Sequence, residues 1–332
     1  MPTSHNEGDN NPNLEADTRV VYEAVPLATA IVSETLRLEV QSVTPLIGMG
    51  SVNLILFVQT TQREIVVRLN KPQDDKDKTR SDYEKERWCI AKAKEVGIPS
   101  PEVLAVGEHS GRAFMLQNRI AGVNGKQSAV PATDLLRTLG RYARTIHSIP
   151  IDGFGDSVEG FEGGNAQAGW LRFVDYNLGE LTANDPLIAL GVYTASQQEK
   201  IRAAFTWLRG LPLQIGLTHC DLARRNTIVD DAGCVYLLDW GCAEINVVPH
   251  YELNSLLHWY RLDNTNLYAF LEGYGLSLIE WERLIPELKA VVLLKAFDLT
   301  RWAIDRCPER LEEISARAVQ CLAMFEGREY RL

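Results

Sequence analysis

The sequence predicts an α+β chain, with strands gathered in its first hundred or so residues and helices filling most of the rest. Three observations predict it. β-Rich segments bracket a glycine-containing turn within residues 40–69, and apolar residues recur at helical spacing from Ala132 onward. Inside that second half, Leu217 to Asp239 reads LTHCDLARRNTIVDDAGCVYLLD, a polar loop followed by a short strand, a turn and a return strand. At 332 residues the chain has room for one two-lobed unit or two ordinary domains, and 45% hydrophobic with 23% charged residues is the balance of a soluble globular protein.

Met1 to Thr18 is rich in Asn, Asp, Glu and Pro and is expected to be a disordered tail. A helix is expected to follow, to about Leu38. Val40–Leu46 and Leu54–Gln59 read as strands around the turn Ile47–Asn53, with Ile65–Leu69 as a third. The run Val40–Gln62 carries no charge, but Pro45, Gly48, Gly50 and Asn53 break it into strands and a turn rather than a membrane helix. Gly48 and Gly50 let backbone amides approach an anion closely, and Ser51 adds a hydroxyl; the same residues also suit a plain hairpin turn. A helix is expected over Asp82–Val96. Further helices are expected over Ala132–His147, Gly169–Gly179, Ala195–Leu208, Tyr251–Tyr260 and Asn264–Gly273, and from Ser277 onward.

The chemistry concentrates in the Leu217–Asp239 stretch. His219, Asp221 and Asn226 form an H-x-D-x-x-x-x-N array, and Thr227–Val229, the turn Asp230–Gly233 and Val235–Leu238 form a hairpin that returns Asp239-Trp240-Gly241 toward it. Phosphoryl transfer requires such a set: a carboxylate beside the attacking hydroxyl, and an amide and a second carboxylate on magnesium. Asp221 is the candidate base, and Asn226 and Asp239 are the candidate metal ligands, oxygen donors of the kind magnesium prefers.

Together with GIPSPEVLAVGE at Gly97–Glu108, FMLQNRIAG at Phe114–Gly122, RTIHSI at Arg144–Ile149 and GFG at Gly153–Gly155, HCDLARRN and LLDWG give the chain a resemblance that covers most of its length. It resembles the aminoglycoside phosphotransferase and choline-kinase-like small-molecule kinases, and is closest in pattern to hygromycin-type and fungal members. The resemblance implies a protein-kinase-like two-lobed fold, with a small antiparallel β-sheet lobe and a larger, mainly helical lobe. Residues 19–120 would form the nucleotide-binding lobe, and residues 121–332 the helical C-terminal lobe with the catalytic loop and acceptor pocket. It also implies ATP and Mg2+ as cofactors, cradled in part by Gly48, Gly50 and Ser51. Arg68 stands where kinases carry a phosphate-contacting lysine, with Lys71 as the substitute candidate. Glu86, or alternatively Glu84, would brace it. His147 would pack and His219 would support the loop. Two departures stand out. HCD replaces the commoner HGD, and Glu252 occupies the place of an aspartate that usually follows a Gly-Asp-Pro segment.

Charge is uneven. Residues 151–332 carry 26 acids and 16 bases, whereas residues 19–150 have four more bases than acids. That split suits a polyanionic nucleotide in one lobe and a cationic acceptor in the other, with Asp175, Glu180, Asp185, Asp263 and Glu272 as candidate ammonium partners; it also suits plain solubility. It argues against nucleic acid. The six cysteines show no metal or disulfide spacing and are expected to be reduced and mostly buried, although Cys220, inside the polar loop, is a candidate for thiol sensitivity. No signal-peptide or membrane pattern is present, so a cytoplasmic location is expected. The expected activity is transfer of the γ-phosphate of ATP to a small-molecule hydroxyl, on an aminoglycoside or other hydroxylated amine. The alternatives are a kinase for an amino alcohol or sugar, a protein kinase, prompted by DLARRN, and a non-catalytic binding module. Acceptor identity, ATP versus GTP and oligomeric state stay open.

Overall fold

The computed structural model describes residues 19–47, 53–259 and 263–327. The expectations for the N-terminal tail and for Gly48, Gly50 and Ser51 therefore fall outside the described residues. The chain divides into two compact units. One holds the described residues to Lys94 together with Pro99–Gly122, the other Glu95–Ile98 and everything from Val123.

The first unit is a five-stranded antiparallel sheet, β1 (Val40–Leu46), β2 (Asn53–Thr60), β3 (Glu64–Asn70), β4 (Val103–His109) and β5 (Arg112–Asn118), in the order β1-β2-β3-β5-β4. Side chains alternate across a strand, so Leu54, Leu56 and Val58 of β2 and Ile65, Val67 and Leu69 of β3 share one face. That face is buried against Ala28, Ile31 and Val32 of the helix Val25–Leu36. This helix stops short of Leu38 because Arg37 turns left-handed, at φ 56°. The opposite face, with Met115 and Ala113, is covered by Tyr83 of a second helix, Lys76–Glu95. That helix begins six residues before the expected Asp82. The reason is an N-terminal cap: the Asp75 side chain accepts from the backbone N–H of Asp77 at 2.9 Å and of Lys78 at 3.2 Å, so an all-polar run that shows no apolar stripe still starts a helix.

The second unit is mainly helical, with two small sheets. β6 (Val123–Asn124), β8 (Thr227–Val229) and β9 (Val235–Leu237) form one, in the order β6-β8-β9; β7 (Ile215–Thr218) and β10 (Glu244–Val247) pair antiparallel as the other. Helices Ala132–His147, Ala166–Glu180, Gln198–Gly210 and Asn264–Tyr274 match the apolar spacing closely. Leu278–Arg306 starts at a capping box, in which Ser277 accepts from Glu280 N–H and Glu280 accepts from Ser277 N–H. The expected single helix over 251–260 is instead the short helix His250–Asn254 running into a π-helical turn, Ser255–Trp259.

Helices Ala132–His147 and Asn264–Tyr274 approach each other through glycine. A Cβ on Gly140 would lie 2.2 Å from the Phe270 carbonyl oxygen, and one on Gly273 would lie 2.0 Å from that of Arg137. Backbone atoms cannot retreat as a flexible side chain can. We predict that Gly140→Ala and Gly273→Ala each destabilise the chain by about 1–3 kcal/mol, several degrees in melting temperature. Gly179→Ala, on a helix with open space around it, is the control and is neutral or slightly stabilising. Calorimetry of the three variants checks this.

Candidate active site

In the first unit the strand period decides which side chains meet. Arg68 lies between Val67 and Leu69 on the central strand β3 and so projects from the opposite face, toward the helix Lys76–Glu95. There Glu86 receives it through both guanidinium ends, Nη1 to Oε2 at 2.6 Å and Nη2 to Oε1 at 2.9 Å. The pair is 13% and 3% exposed, and the Tyr83 ring lies 5.3 Å from the guanidinium carbon. A two-pronged bond between planar groups resists rotation, which fixes the arginine in direction as well as charge. Glu84 pairs with Arg87 on the helix surface, and Lys71 lies past the end of β3 with its N–H bonded to Asp74.

In the second unit β7 delivers the chain into the loop His219–Asn226. The loop is pinned from beneath by Glu252, 1% exposed, whose Oε2 accepts from the backbone N–H of His219 at 2.8 Å and of Cys220 at 3.2 Å. Cys220 has φ 59°, a left-handed conformation that a non-glycine residue holds only when its surroundings enforce it. The His219 ring then couples three segments. Its Nδ1 accepts from Asp221 N–H at 3.2 Å, its Nε2 donates to the Leu238 carbonyl at 3.0 Å, and its face lies 4.6 Å from the buried Trp240 ring. The Leu238 N–H donates to the Asn226 carbonyl at 2.9 Å, and Asn124, just inside the second unit, donates from Nδ2 to the Arg225 carbonyl at 2.7 Å. The hairpin and the loop are thus tied together at both edges.

Asp221, 12% exposed at its side chain, takes two partners. Asn226 Nδ2 donates to its Oδ2 at 2.6 Å and to its backbone carbonyl at 2.9 Å. Arg225 Nη2 lies 2.8 Å from Oδ1 and 3.0 Å from Oδ2. Burial pushes the Asp221 carboxyl above the ordinary value of 3.8, while Arg225 and the Asn226 bond pull it back part of the way. Asp239 is exposed and holds φ 62°, and its charge adds to the upward push on Asp221. With its NH2 spent on Asp221, Asn226 keeps its amide oxygen as an acceptor atom.

The sequence pattern did not reveal Arg225 as the partner of Asp221, nor Asn124 as a brace; an i, i+4 Asp–Arg spacing was the available signal for the first. Four of the five candidate ammonium partners are engaged elsewhere. Asp175 binds Arg209 at 2.5 and 3.0 Å, and Asp263 caps its helix on the Asn266 N–H at 2.8 Å. Glu272 binds Arg137 at 2.9 Å. Asp185, 3% exposed, accepts from Arg301 at 2.6 Å and Tyr193 at 2.8 Å. The six cysteines form no disulfide, and only Cys89, Cys220 and Cys321 are buried, fewer than expected. Burial pushes the Cys220 thiol well up, which removes the thiolate that reactivity needs.

Two outcomes follow. N-ethylmaleimide is expected to modify exposed Cys242 before Cys220, read by peptide mass mapping at partial labelling. Glu252 gives a stability signature. Burial favours its neutral form, but the His147 imidazole, with Nε2 at 3.8 Å and so an electrostatic rather than a hydrogen-bonded neighbour, and the His219 N–H outweigh it, leaving the carboxyl below its ordinary 4.5. A depressed value means stability that is fully present above the unfolded-state value and is lost as pH falls through the lower, folded-state one. The melting-temperature gap between wild type and Glu252→Gln is therefore expected to be full near pH 7 and to shrink below about 4.5; a gap that does not change with pH would contradict it.

The family model described as "Phosphotransferase enzyme family" matches residues 44–286. A search of curated protein sequences finds no match. Among solved structures, the aminoglycoside phosphotransferase APH(4)-Ia shares 18% identity over 91% of this chain and 99% of its own, with a TM-score of 0.59. The choline kinase LicA from Streptococcus pneumoniae shares 18% over 90% and 98%, with 0.56. The macrolide 2'-phosphotransferase MphH from Brachybacterium faecium shares 16% over 93% and 100%, with 0.58. At these identities the structures show a shared fold, the protein-kinase-like one. The family match spans well over half of the chain, so it belongs to the phosphotransferase enzyme family and is a phosphotransferase with an alcohol group as acceptor.

Proposed function

We propose that the chain moves the γ-phosphoryl group of ATP to a hydroxyl of a small molecule, with Asp221 as general base. The hold on Asp221 carries the reading. Asn226 fixes Oδ2 from one side, and a carboxylate oxygen accepts more than one hydrogen bond, so Oδ1 retains capacity for an acceptor O–H. Burial that raises the carboxyl above 3.8 makes it a stronger base for that proton. Adenine nucleotides in related structures support the donor: APH(4)-Ia is known in a ternary complex with ADP and hygromycin B, and LicA with AMP.

The residues present fit magnesium. Asn226 and Asp239 offer hard oxygen donors, and no group of three or more His, Cys, Asp or Glu able to hold a metal occurs among the described residues. Phosphate oxygens and water would complete the shell, as is usual for this ion. When bound, the ion neutralises charge on the phosphate oxygens. In this reading Arg68, held in direction by Glu86, contacts the nucleotide phosphates. The first unit would then be the nucleotide-binding lobe, and the second would carry the loop and the acceptor. A protein-kinase reading finds no support. β10 starts four residues after Trp240, and the next helix begins at His250, which leaves no long segment for a peptide platform. No helix among the described residues is long and apolar enough to cross a membrane. The related structures act on an aminoglycoside, choline and a macrolide at similar fold likeness, so fold alone does not choose the acceptor.

We predict that Asp221→Asn lowers transfer by about 10²–10⁴-fold while leaving ATP affinity within a few-fold. ADP release over a panel of aminoglycosides, amino alcohols and sugars, paired with nucleotide titration, is the measurement. An unimpaired variant removes Asp221 as the base, and a wild type that binds no nucleotide removes the kinase reading. Arg68→Ala is expected to raise the KM for ATP more than it lowers kcat.

A further inference from the structure

Apart from the Asp221–Asn226 pair, the second unit holds a lysine in the way a protein holds a cationic ligand. We propose that Glu244 and Tyr251 form a binding site for an organic ammonium group, that Lys295 of the same chain is its resident ligand, and that Lys295 thereby bars free amines from it. The inference concerns binding and does not depend on the phosphotransfer reading.

Three elements build the site. Glu244 opens β10 opposite Thr218 of β7, Tyr251 lies on the helix His250–Asn254, and Lys295 lies on Leu278–Arg306. Lys295 Nζ donates to Glu244 Oε1 and stands 4.0 Å from the centre of the Tyr251 ring, well inside the roughly 6 Å reach of a cation–π contact. A carboxylate for the charge and an aromatic face for the carbons beside it are what an alkylammonium needs. The frame is fixed without the lysine's help: Tyr251 is buried, and Glu244 Oε2 accepts from Asn246 Nδ2 at 3.3 Å. Burial pulls the Lys295 ammonium toward its neutral form, but Glu244 and then Cys220 outweigh it and hold it above the ordinary 10.5, so the resident is charged. Asp298, one helical turn along, accepts from Asn177 Nδ2 at 3.1 Å, and burial pushes its carboxyl up; the lysine bonds Glu244 instead. The same Glu244 Oε1 lies 3.5 Å from the Cys220 sulfur, so the site adjoins the loop that carries Asp221. A tethered ammonium competes with a free one at an effective concentration on the order of millimolar, which is what keeps amines out. Since the Lys295 side chain is 30% exposed, its removal opens the site to solvent.

Lys295→Ala removes three carbons and a nitrogen, the atoms of n-propylammonium, and n-propanol is the neutral match. Melting temperature is followed against the concentration of each probe, at matched ionic strength, for the wild type, Lys295→Ala and Lys295→Ala combined with Glu244→Gln. n-Propylammonium is expected to bind Lys295→Ala about tenfold or more tightly than n-propanol does, and by a similar margin over its binding to the wild type; the double variant loses the preference. Equal binding of the two probes, equal binding to the wild type, or a preference that survives Glu244→Gln overturns the proposal. Should Lys295→Ala not fold, limiting acetic anhydride on the wild type and on Glu244→Gln, read by peptide mass mapping against the exposed Lys126, answers the same question. Lys295 is expected to react several-fold more slowly than Lys126 in the wild type and to lose most of that protection in Glu244→Gln; an unprotected Lys295, or protection that Glu244→Gln leaves unchanged, overturns the proposal.

Discussion

The second unit turns on one buried carboxylate. Glu252 holds the backbone N–H groups of His219 and Cys220, and without that double acceptor the loop has no reason to keep Cys220 at φ 59°. Hydrogen bonds to a charged acceptor contribute roughly 1.5–3 kcal/mol each, comparable to the cost of one strained residue. Because the bonds are made to main chain, the loop's path is set independently of which side chains it carries. That permits HCD where HGD is commoner. The Cys220 side chain turns to Thr218 and Glu244, away from the Asp221–Asn226 pair.

From that anchor the remaining order spreads by contact. Held in place, His219 presents one ring nitrogen to Asp221 and the other to Leu238, and its face to Trp240. The DWG triplet is therefore positioned by the same imidazole that orients the Asp221 backbone. Trp240 is fully buried while Asp239 beside it is exposed, so the tryptophan acts as the peg that aims the carboxylate outward. The first unit solves its own positioning problem differently. There a long side chain on a central strand is fixed by a bidentate partner on a covering helix, and the apolar face of the sheet supplies the rigidity.

Much of this was legible in the sequence, and for one reason: local patterns depend on near neighbours. Alternation in β2 and β3, helical spacing in Ala132–His147, and the Thr227–Leu237 hairpin are set within a few residues by backbone geometry. The spacing from His219 to Asn226 and on to Asp239 likewise pointed to phosphoryl transfer, the reaction of the family to which the chain belongs. Where the reading slipped, a local rule was overridden. The polar first turns of Lys76–Glu95 show no apolar stripe yet are helical because Asp75 caps them. The turn after Asn254 widens to π geometry where the spacing predicted plain helix.

The sequence by itself determined the fold class, the order of the elements and which residues it offers as candidates for the chemistry, since each is written in short-range periodicity and spacing. Only the tertiary structure decided who pairs with whom. Glu252 reaches back 33 residues to His219, and Asp185 is claimed by Arg301 across 116 residues, so an acid that reads as a ligand-binding charge is in fact a buried strut. Arg225 lies four residues from Asp221, but whether it faces the carboxylate or the solvent depends on the turn between them. Partner choice is a matter of packing, and packing brings together residues that spacing along the chain cannot rank.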